Sequence, residues 1–196
     1  MFTGIVTSIG KITKATPRDG GARITIDAGM LDLSDVTIGD SIAVNGVCLT
    51  VIALHGDRFD VDVSQETIDC TIGFHAPNEA NLEKSLRLSD RLGGHLMSGH
   101  VDGVGDVVRF EPAGESFLLV IHAPRDLAKY IARKGSITVN GVSLTVNRVA
   151  GEEFEINLIP HTLEATNLKQ LKAGSRVNLE VDLIARYIER LQHYGA

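Results

Sequence analysis

Two short stretches of the chain carry the side chains best suited to chemistry, and they are nearly identical. Residues 45–51 read NGVCLTV, and residues 140–146 read NGVSLTV. Cys48 and Ser143 therefore occupy equivalent positions. A cysteine thiolate is a strong nucleophile and a serine hydroxyl a weak one, so the two copies keep one shape but differ in reactivity. A small buried filler is the alternative interpretation of Cys48, because free cysteines often have that role.

The Asn-Gly pair that opens each phrase predicts a tight β-hairpin turn. Both central residues of a type I′ turn need positive φ, which asparagine and glycine tolerate best. In the strand that follows, alternate side chains point to opposite faces. The apolar residues of each phrase are expected on the core face. The pairs Cys48–Thr50 and Ser143–Thr145 are then expected on the other face, beside the turn.

A histidine and two threonines are further candidates for a functional role. His100 stands where the first copy of the repeat has Ile5. Histidine is suited to proton transfer near neutral pH, although a lone histidine is more often a surface or fully hydrogen-bonded residue. Thr67 and Thr162 follow the last long strand of each copy, where they can cap the strand end or hold a polyol. Three charged residues that would ordinarily be solvated complete the candidates: Glu66, Lys134 and Asp182.

The elements that position these residues come from an internal duplication. Residues 1–72 align on 96–167 without a gap, with glycines, a proline and apolar residues recurring at the same offset. This repeat predicts two similar domains, residues 1–95 and 96–196. The triplet Asn-Leu-Glu also recurs, at 81–83 and 178–180, after a shift of two.

Each half is predicted to consist of short strands separated by turn signals. In the first half the strands are expected at 5–13, 22–28, 41–44, 48–54, 58–63 and 81–83. Six short strands at this spacing indicate a small closed barrel or Greek key. The predicted fold class is all-β: two tandem six-stranded Greek-key barrels from the duplication, plus a C-terminal helix. Helices are predicted at 30–36, 125–133 and 183–194.

An apolar stripe at helical spacing marks the C-terminal segment. Its members are Leu183, Ile184, Tyr187, Ile188 and Leu191. One interpretation is packing against its own domain. Two closed barrels would already have complete cores, and so short a helix needs a surface to cover it. We therefore favour contact with another copy of the chain.

Composition and charge argue against several classes of function. The formal net charge of −6 disfavours nucleic acid or an anionic membrane as the main partner. Two cysteines cannot form a disulfide framework, and no CxxC or HExxH motif indicates a metal site. The sequence has no signal-peptide pattern and no stretch of about 18 apolar residues, so a cytoplasmic location is expected.

Four motifs together resemble the riboflavin synthase family over essentially the whole chain. They are the opening MFTGIV, the two Asn-Gly phrases, GGHLMSGHVDG at 93–103 and VNLEVDLIA at 177–185. The Asn-Gly phrase alone would not be specific, but the set is. One departure is Asp69 and Cys70, where relatives are often basic, and it lies outside these motifs.

The resemblance implies a fold and a reaction. The fold would be two six-stranded Greek-key barrels with a C-terminal helix at a trimer axis, so a homotrimer is expected. The implied reaction is a dismutation of two molecules of 6,7-dimethyl-8-ribityllumazine, without a metal or cofactor. One molecule gives a four-carbon unit to the other, leaving riboflavin and 5-amino-6-(D-ribitylamino)uracil. Each site would be shared between neighbouring chains, and association with lumazine synthase is also expected.

The resemblance also implies two substrate pockets. The first is expected to contain Gly4, Ile5, Val6, Cys48, Leu49, Thr50, Asp62, Val63, Ser64, Gln65, Glu66 and Thr67. The second is expected to contain Gly99, His100, Val101, Lys134, Ser143, Leu144, Thr145, Ile159, Pro160, His161, Thr162, Leu163 and Glu164. The expected catalytic residues are Cys48, His100, Ser143 and Thr145. Phe2 and Asp182, and more weakly Ser41, are expected to position the substrate.

Two other functions fit parts of the same pattern. Lumazine proteins share the fold and hold a lumazine or flavin as an optical antenna without turnover. The retention of Phe2, Cys48 and His100 favours the enzyme. A flavin-carrying barrel of a reductase is the third option, but the chain lacks a dinucleotide-binding half.

Overall fold

The Asn-Gly turns expected from the sequence form in both halves of the chain. The structure is a computed structural model and describes residues 1–194. In it, φ is 48° at Asn45 and 83° at Gly46, and 47° at Asn140 and 80° at Gly141. All four values lie in the left-handed region, as a type I′ turn requires. Each turn therefore fixes the register of the hairpin around it.

The first half of the chain closes into a six-stranded antiparallel barrel. Its strands are β1 (Ser8–Arg18), β2 (Gly21–Asp27), β3 (Ser41–Val44), β4 (Val47–His55), β5 (Arg58–Ser64) and β6 (Asn78–Lys84). They pair in the order β1-β2-β5-β4-β3-β6. Strands β3, β4 and β5 are joined by hairpins, and β2 pairs with β5, which makes a Greek key. In β4, Val47, Leu49 and Val51 are buried while Thr50 is exposed, which confirms the predicted alternation.

The second half repeats this barrel. Its strands are β7 (Gly103–Ala113), β8 (Ser116–His122), β9 (Ser136–Val139), β10 (Val142–Ala150), β11 (Glu153–Leu158) and β12 (Arg176–Val181). They close in the order β10-β11-β8-β7-β12-β9. The barrel therefore has the connectivity of the first, and the predicted fold class is confirmed. Each barrel encloses its own cluster of buried apolar side chains.

Short helices differ most from the sequence prediction. Residues 30–36 form turns rather than the predicted helix, because Asp32 accepts hydrogen bonds from both the backbone and the hydroxyl of Ser34. The helix predicted at 125–133 is only α2 (Arg125–Ala128). Three elements were not predicted: α1 (Gln65–Cys70), α3 (Pro160–Ala165) and a 3₁₀ turn (Asn167–Gln170). Their signals were Ser64 as a helix cap and Pro160 in the first turn of α3.

A buried network of asparagines joins the two barrels. The side-chain amide of Asn81 donates to the carbonyl oxygen of Asn140 at 2.8 Å, and that of Asn178 donates to the carbonyl oxygen of Asn45 at 3.1 Å. The two hairpin turns meet here back to back. A Cβ added to Gly46 would lie 2.8 Å from the amide nitrogen of the other turn's glycine, so only glycine fits. The two halves are therefore related by a local two-fold axis.

The C-terminal helix, α4 (Leu183–His193), follows β12 directly. Asp182 caps it, because its Oδ1 accepts a hydrogen bond from the amide of Ile184 at 3.0 Å. Most of the predicted stripe faces solvent, with Tyr187 65% exposed and Leu191 76% exposed. No helix among residues 1–194 is long and apolar enough to cross a membrane. The boundary between the halves at residue 95 stays a prediction.

Candidate active site

Cys48 lies where an arm from the other half of the chain crosses the first barrel. Its amide donates to the carbonyl oxygen of Gly99 at 2.8 Å. A Cβ on Gly99 would lie 2.6 Å from the Cβ of Cys48, and Gly99 has φ +78°, so glycine is required twice over. Val101, two residues further on, packs against the core of the first barrel. We call residues 97–101 the linker arm.

Ser143 has the matching arrangement on the second barrel. Its amide donates to the carbonyl oxygen of Gly4 at 2.9 Å, and Gly4 also has φ +78°. Val6 packs against the core of the second barrel. We call residues 2–6 the N-terminal arm. The backbone frame around Cys48 is thus repeated around Ser143.

The two arms are exchanged between the barrels, which bears on the expected grouping of the pockets. The resemblance groups Gly4, Ile5 and Val6 with Cys48, and it groups Gly99, His100 and Val101 with Ser143. The structure places each arm on the opposite barrel of the same chain, and the grouping of the substrate contacts stays a prediction. The repeat identifies equivalent residues, but it carries no information on which barrel an arm covers.

Two buried glutamates hold the arms in place. Glu83 accepts hydrogen bonds from the amide and hydroxyl of Thr3 at 2.7 and 2.6 Å and from the amide of Gly4 at 2.9 Å. Glu180 does the same for the linker arm, accepting from the amide and hydroxyl of Ser98 at 2.6 and 2.7 Å and from the next amide at 3.0 Å. Burial raises the pKa of both carboxyl groups, against the opposing effect of these donors. The recurring Asn-Leu-Glu triplet was their signal in the sequence.

The side-chain surroundings of Cys48 and Ser143 differ. Cys48 packs against an apolar cluster that contains Phe2, which is fully buried. Ser143 instead faces His95, with 2.7 Å between Nδ1 and the serine Oγ. The other ring nitrogen lies 3.3 Å from the hydroxyl of Thr138. Burial lowers the pKa of His95, so the imidazole is held neutral and can accept a proton from the serine.

His95 is a residue that sequence reasoning missed. It lies in the GGHLMSGHVDG motif, but its contact with Ser143 crosses 48 positions of the chain. His100, which the resemblance predicts to be catalytic, is exposed, and it lines a cavity of 280 Å³ with Glu180 and Arg186.

The segments after β5 and β11 carry the other predicted pocket residues. The first run is Asp62, Val63, Ser64, Gln65, Glu66 and Thr67, and the second is Ile159, Pro160, His161, Thr162, Leu163 and Glu164; both turn from a strand into a short helix. Ser64 caps α1, since its Oγ accepts from the amide of Thr67 at 3.2 Å and lies 2.9 Å from the threonine hydroxyl. Thr67 is therefore the residue that is capped, and its contact with a polyol stays a prediction. Asp62 is paired with Arg23 at 2.8 Å, which lowers the pKa of the carboxyl group.

The remaining predicted residues lie in several environments. Thr145 is exposed on the outer face of β10, like its equivalent on β4. Leu49 and Leu144 belong to the two cores. Lys134 is exposed, with φ 65°, and its amide donates to the carbonyl oxygen of Val146 at 2.7 Å. Ser41 lines a cavity of 660 Å³ together with Ile5, and neither Cys48 nor His100 lines it.

Fold and site together define a class: tandem Greek-key barrels that carry two sites with the same backbone frame and different side chains. The family model for the lumazine binding domain matches the chain twice, over residues 3–85 and 98–182. The riboflavin synthase of Photobacterium phosphoreum is 45% identical over 97% of this chain and 88% of its own. That of Mycobacterium tuberculosis strain H37Rv is 45% identical over 97% of this chain and 98% of its own. The chain belongs to the riboflavin synthase family of enzymes.

Solved structures of similar chains contain ligands of one chemical kind. LumP in complex with riboflavin has a TM-score of 0.84 and 31% identity, covering 92% of this chain and 99% of LumP. LumP in complex with 6,7-dimethyl-8-(1'-D-ribityl) lumazine has a TM-score of 0.81 and 30% identity, with the same coverage. Both ligands carry a ribityl chain on a flat heteroaromatic ring.

Proposed function

We propose that the enzyme converts two molecules of 6,7-dimethyl-8-ribityllumazine into riboflavin and 5-amino-6-(D-ribitylamino)uracil. The observation that carries this proposal is the pair of sites with one backbone frame and two side-chain chemistries. Cys48 lies against an apolar cluster and Ser143 against a neutral histidine. A reaction between two identical substrates in different roles needs two similar pockets that are not the same.

The chain's own residues supply positioning, a nucleophile and a proton acceptor. Holding two rings in an attack geometry can contribute roughly 7–11 kcal/mol to lowering the barrier. The thiol of Cys48 is a candidate for addition to an electrophilic ring carbon. His95 takes the proton of Ser143 Oγ when that hydroxyl acts on the second substrate. Transfer of the four-carbon unit balances without an oxidant, because the two products together contain the atoms of the two substrates.

A homotrimer whose working sites span two chains is part of the proposal. The supporting feature is α4, which presents Ile184, Tyr187, Ile188 and Leu191 to solvent. A helix this apolar on its outer face has a surface that another copy of the chain can cover. A cytoplasmic location and association with lumazine synthase stay predictions from the sequence.

The test is incubation with 6,7-dimethyl-8-ribityllumazine as sole substrate. We expect riboflavin to appear with one molecule formed for every two lumazines consumed, and a chelator to leave the rate unchanged. The variant carrying both Cys48→Ala and Ser143→Ala is the control for uncatalysed conversion. Lumazine that stays bound and chemically unchanged would overturn the proposal.

The second candidate is a carrier that holds a lumazine or flavin without turnover. It is favoured by the likeness to the LumP complexes at 30–31% identity. The same incubation separates the two functions, since a carrier gives a fluorescence change on binding and no new product.

A further inference from the structure

The C-terminal end of the linker arm is attached to the C-terminal helix, α4. Asp102, the residue after the arm, has a side chain only 5% exposed. Its Oδ2 accepts a hydrogen bond from the amide of Val181 at 2.7 Å, and its Oδ1 pairs with the guanidinium of Arg186 in α4. A carboxylate this buried needs partners, and Arg186 supplies the opposite charge.

The face of α4 that carries Arg186 is the face bound to the second barrel. Glu189, one turn further on, pairs with Lys129 and with the hydroxyl of Tyr130. The guanidinium of Arg186 also lies 5.9 Å from the centroid of the Tyr130 ring. At 100° per residue, positions 186 and 189 lie opposite the exposed apolar stripe. The polar face therefore binds the helix to its own barrel and leaves the apolar face uncovered.

The first repeat has no charged pair at the position equivalent to Asp102. Thr7 stands in the place of Asp102, and its hydroxyl donates to the carbonyl oxygen of Leu82 at 3.0 Å, within its own barrel. The charged pair thus belongs to the second repeat, which is followed by α4. Asp102 directly follows the linker arm, and His100 lies two residues before it. His100, Asp102, Glu180 and Arg186 line one cavity of 280 Å³.

We propose that Asp102 and Arg186 form a latch through which α4 positions the linker arm, and with it His100, against the Cys48 barrel. This inference rests on the proposed function for its kinetic readout. Arg186 is a positioning residue, because its contact with the site runs through Asp102. The arm is held at three points: Glu180 binds its first turn, Cys48 binds Gly99, and the latch fixes its end. Without Arg186 the last of these points loses its charge partner.

The test compares Arg186→Gln with Arg190→Gln. Arg190 is exposed on the same helix, where its guanidinium lies over the Tyr194 ring, and serves as the matched control. We expect Arg186→Gln to lower kcat about tenfold, because displacement of a positioned group by a fraction of an ångström lowers the rate. KM and the sedimentation coefficient should stay as in the parent chain. Arg186→Lys should recover most of the rate, and Arg190→Gln should lose none.

Amide hydrogen exchange gives a second readout that does not depend on turnover. We expect faster exchange at the amides of Ser98 and Gly99, which donate to Glu180, in Arg186→Gln than in the parent chain or Arg190→Gln. If the parent chain makes no riboflavin, the proposed function fails, while the exchange rates still test the latch. Unchanged exchange at the arm together with unchanged kcat in Arg186→Gln would show that there is no latch. In the background of Asp102→Asn, adding Arg186→Gln should have no further effect.

Discussion

The carbonyl oxygen of Gly4 accepts a hydrogen bond from the amide of Ser143 at 2.9 Å, although the two residues belong to opposite repeats. In the same way, the amide of Cys48 donates a hydrogen bond to the carbonyl oxygen of Gly99 at 2.8 Å. Each site is therefore completed by the half of the chain that does not contain its barrel. Substitutions in one arm should therefore act on the site of the other half.

Gly99→Ala should impair the Cys48 site more than its backbone strain alone explains. Alanine at positive φ costs about 1–2 kcal/mol of stability wherever it occurs. At Gly99 the new Cβ would also lie 2.6 Å from the Cβ of Cys48, so the arm must move. We expect weaker lumazine binding and lower turnover, measured by fluorescence titration and riboflavin formation. Gly20→Ala is the control, because Gly20 has φ +77° and nothing within 4 Å of the added Cβ.

Cys48→Ser should reduce the rate more than the affinity. Serine already fills the equivalent position at Ser143, so the shape of the site should survive. A hydroxyl is a much weaker acid and nucleophile than a thiol, whose ordinary pKa is about 8.5. Turnover and lumazine titration measure the two quantities, and Cys70→Ser controls for loss of the exposed second thiol. Full turnover in Cys48→Ser would mean that the cysteine is a filler.

His95→Gln should lower kcat by roughly 10²-fold, the lower end of what general base catalysis contributes. Glutamine can keep a hydrogen bond to Ser143 but cannot take its proton. Because the pKa of His95 is lowered by burial, the acidic limb of kcat in the parent chain should lie below pH 6.5, the ordinary value. His122→Gln is the control, because His122 lies at the end of β8 and is paired with Glu152. The idea fails if the pH profile of His95→Gln matches that of the parent chain.

Glu83→Gln should change how stability depends on pH. The pKa of Glu83 is raised in the folded state, so the folded chain holds a proton more tightly than the unfolded chain does. The stability contributed by this group is present below its unfolded pKa of about 4.5 and is lost as pH rises through the folded value. The free energy of unfolding of Glu83→Gln, relative to the parent, should therefore increase as pH rises across that window. Denaturant titrations between pH 4 and pH 8 measure this difference, and a difference independent of pH would contradict it.

Charges on the outer face of α4 should dissociate the proposed trimer and leave the contact between Asp102 and Arg186 in place. Tyr187→Asp with Leu191→Asp places two carboxylates on adjacent turns of the apolar stripe. We expect sedimentation as a monomer, intact barrels, and lumazine binding at the Cys48 site. Riboflavin formation should be lost at low protein concentration, because the second substrate is then no longer held against the first. A monomer that keeps full activity would show that one chain suffices.

The sequence predicted what depends on local geometry. The turn at Asn45 needs positive φ, and the alternation after Val47 follows from the strand period, so both could be placed by inspection. The helix predicted at 30–36 failed because Asp32 caps a local turn that competes with it. The exchange of the arms and the contact between His95 and Ser143 depend on packing between distant segments. An internal repeat shows which residues are equivalent, but these contacts join residues that are not equivalent to each other.

The back-to-back turns at Gly46 and Gly141 have a consequence for how such a chain can arise. The contact from Asn81 to the opposite turn is made a second time by Asn178, so one patch of surface meets its own copy. This is the form of an isologous interface, the kind that pairs two identical subunits. A half-length polypeptide with one barrel and one arm would possess all the contacts needed to form a homodimer with swapped arms. Fusion of its two copies allows Cys48 and Ser143 to diverge. Gly46 and Gly141 on the axis must both stay glycine, because a Cβ on either would clash with the backbone of the other.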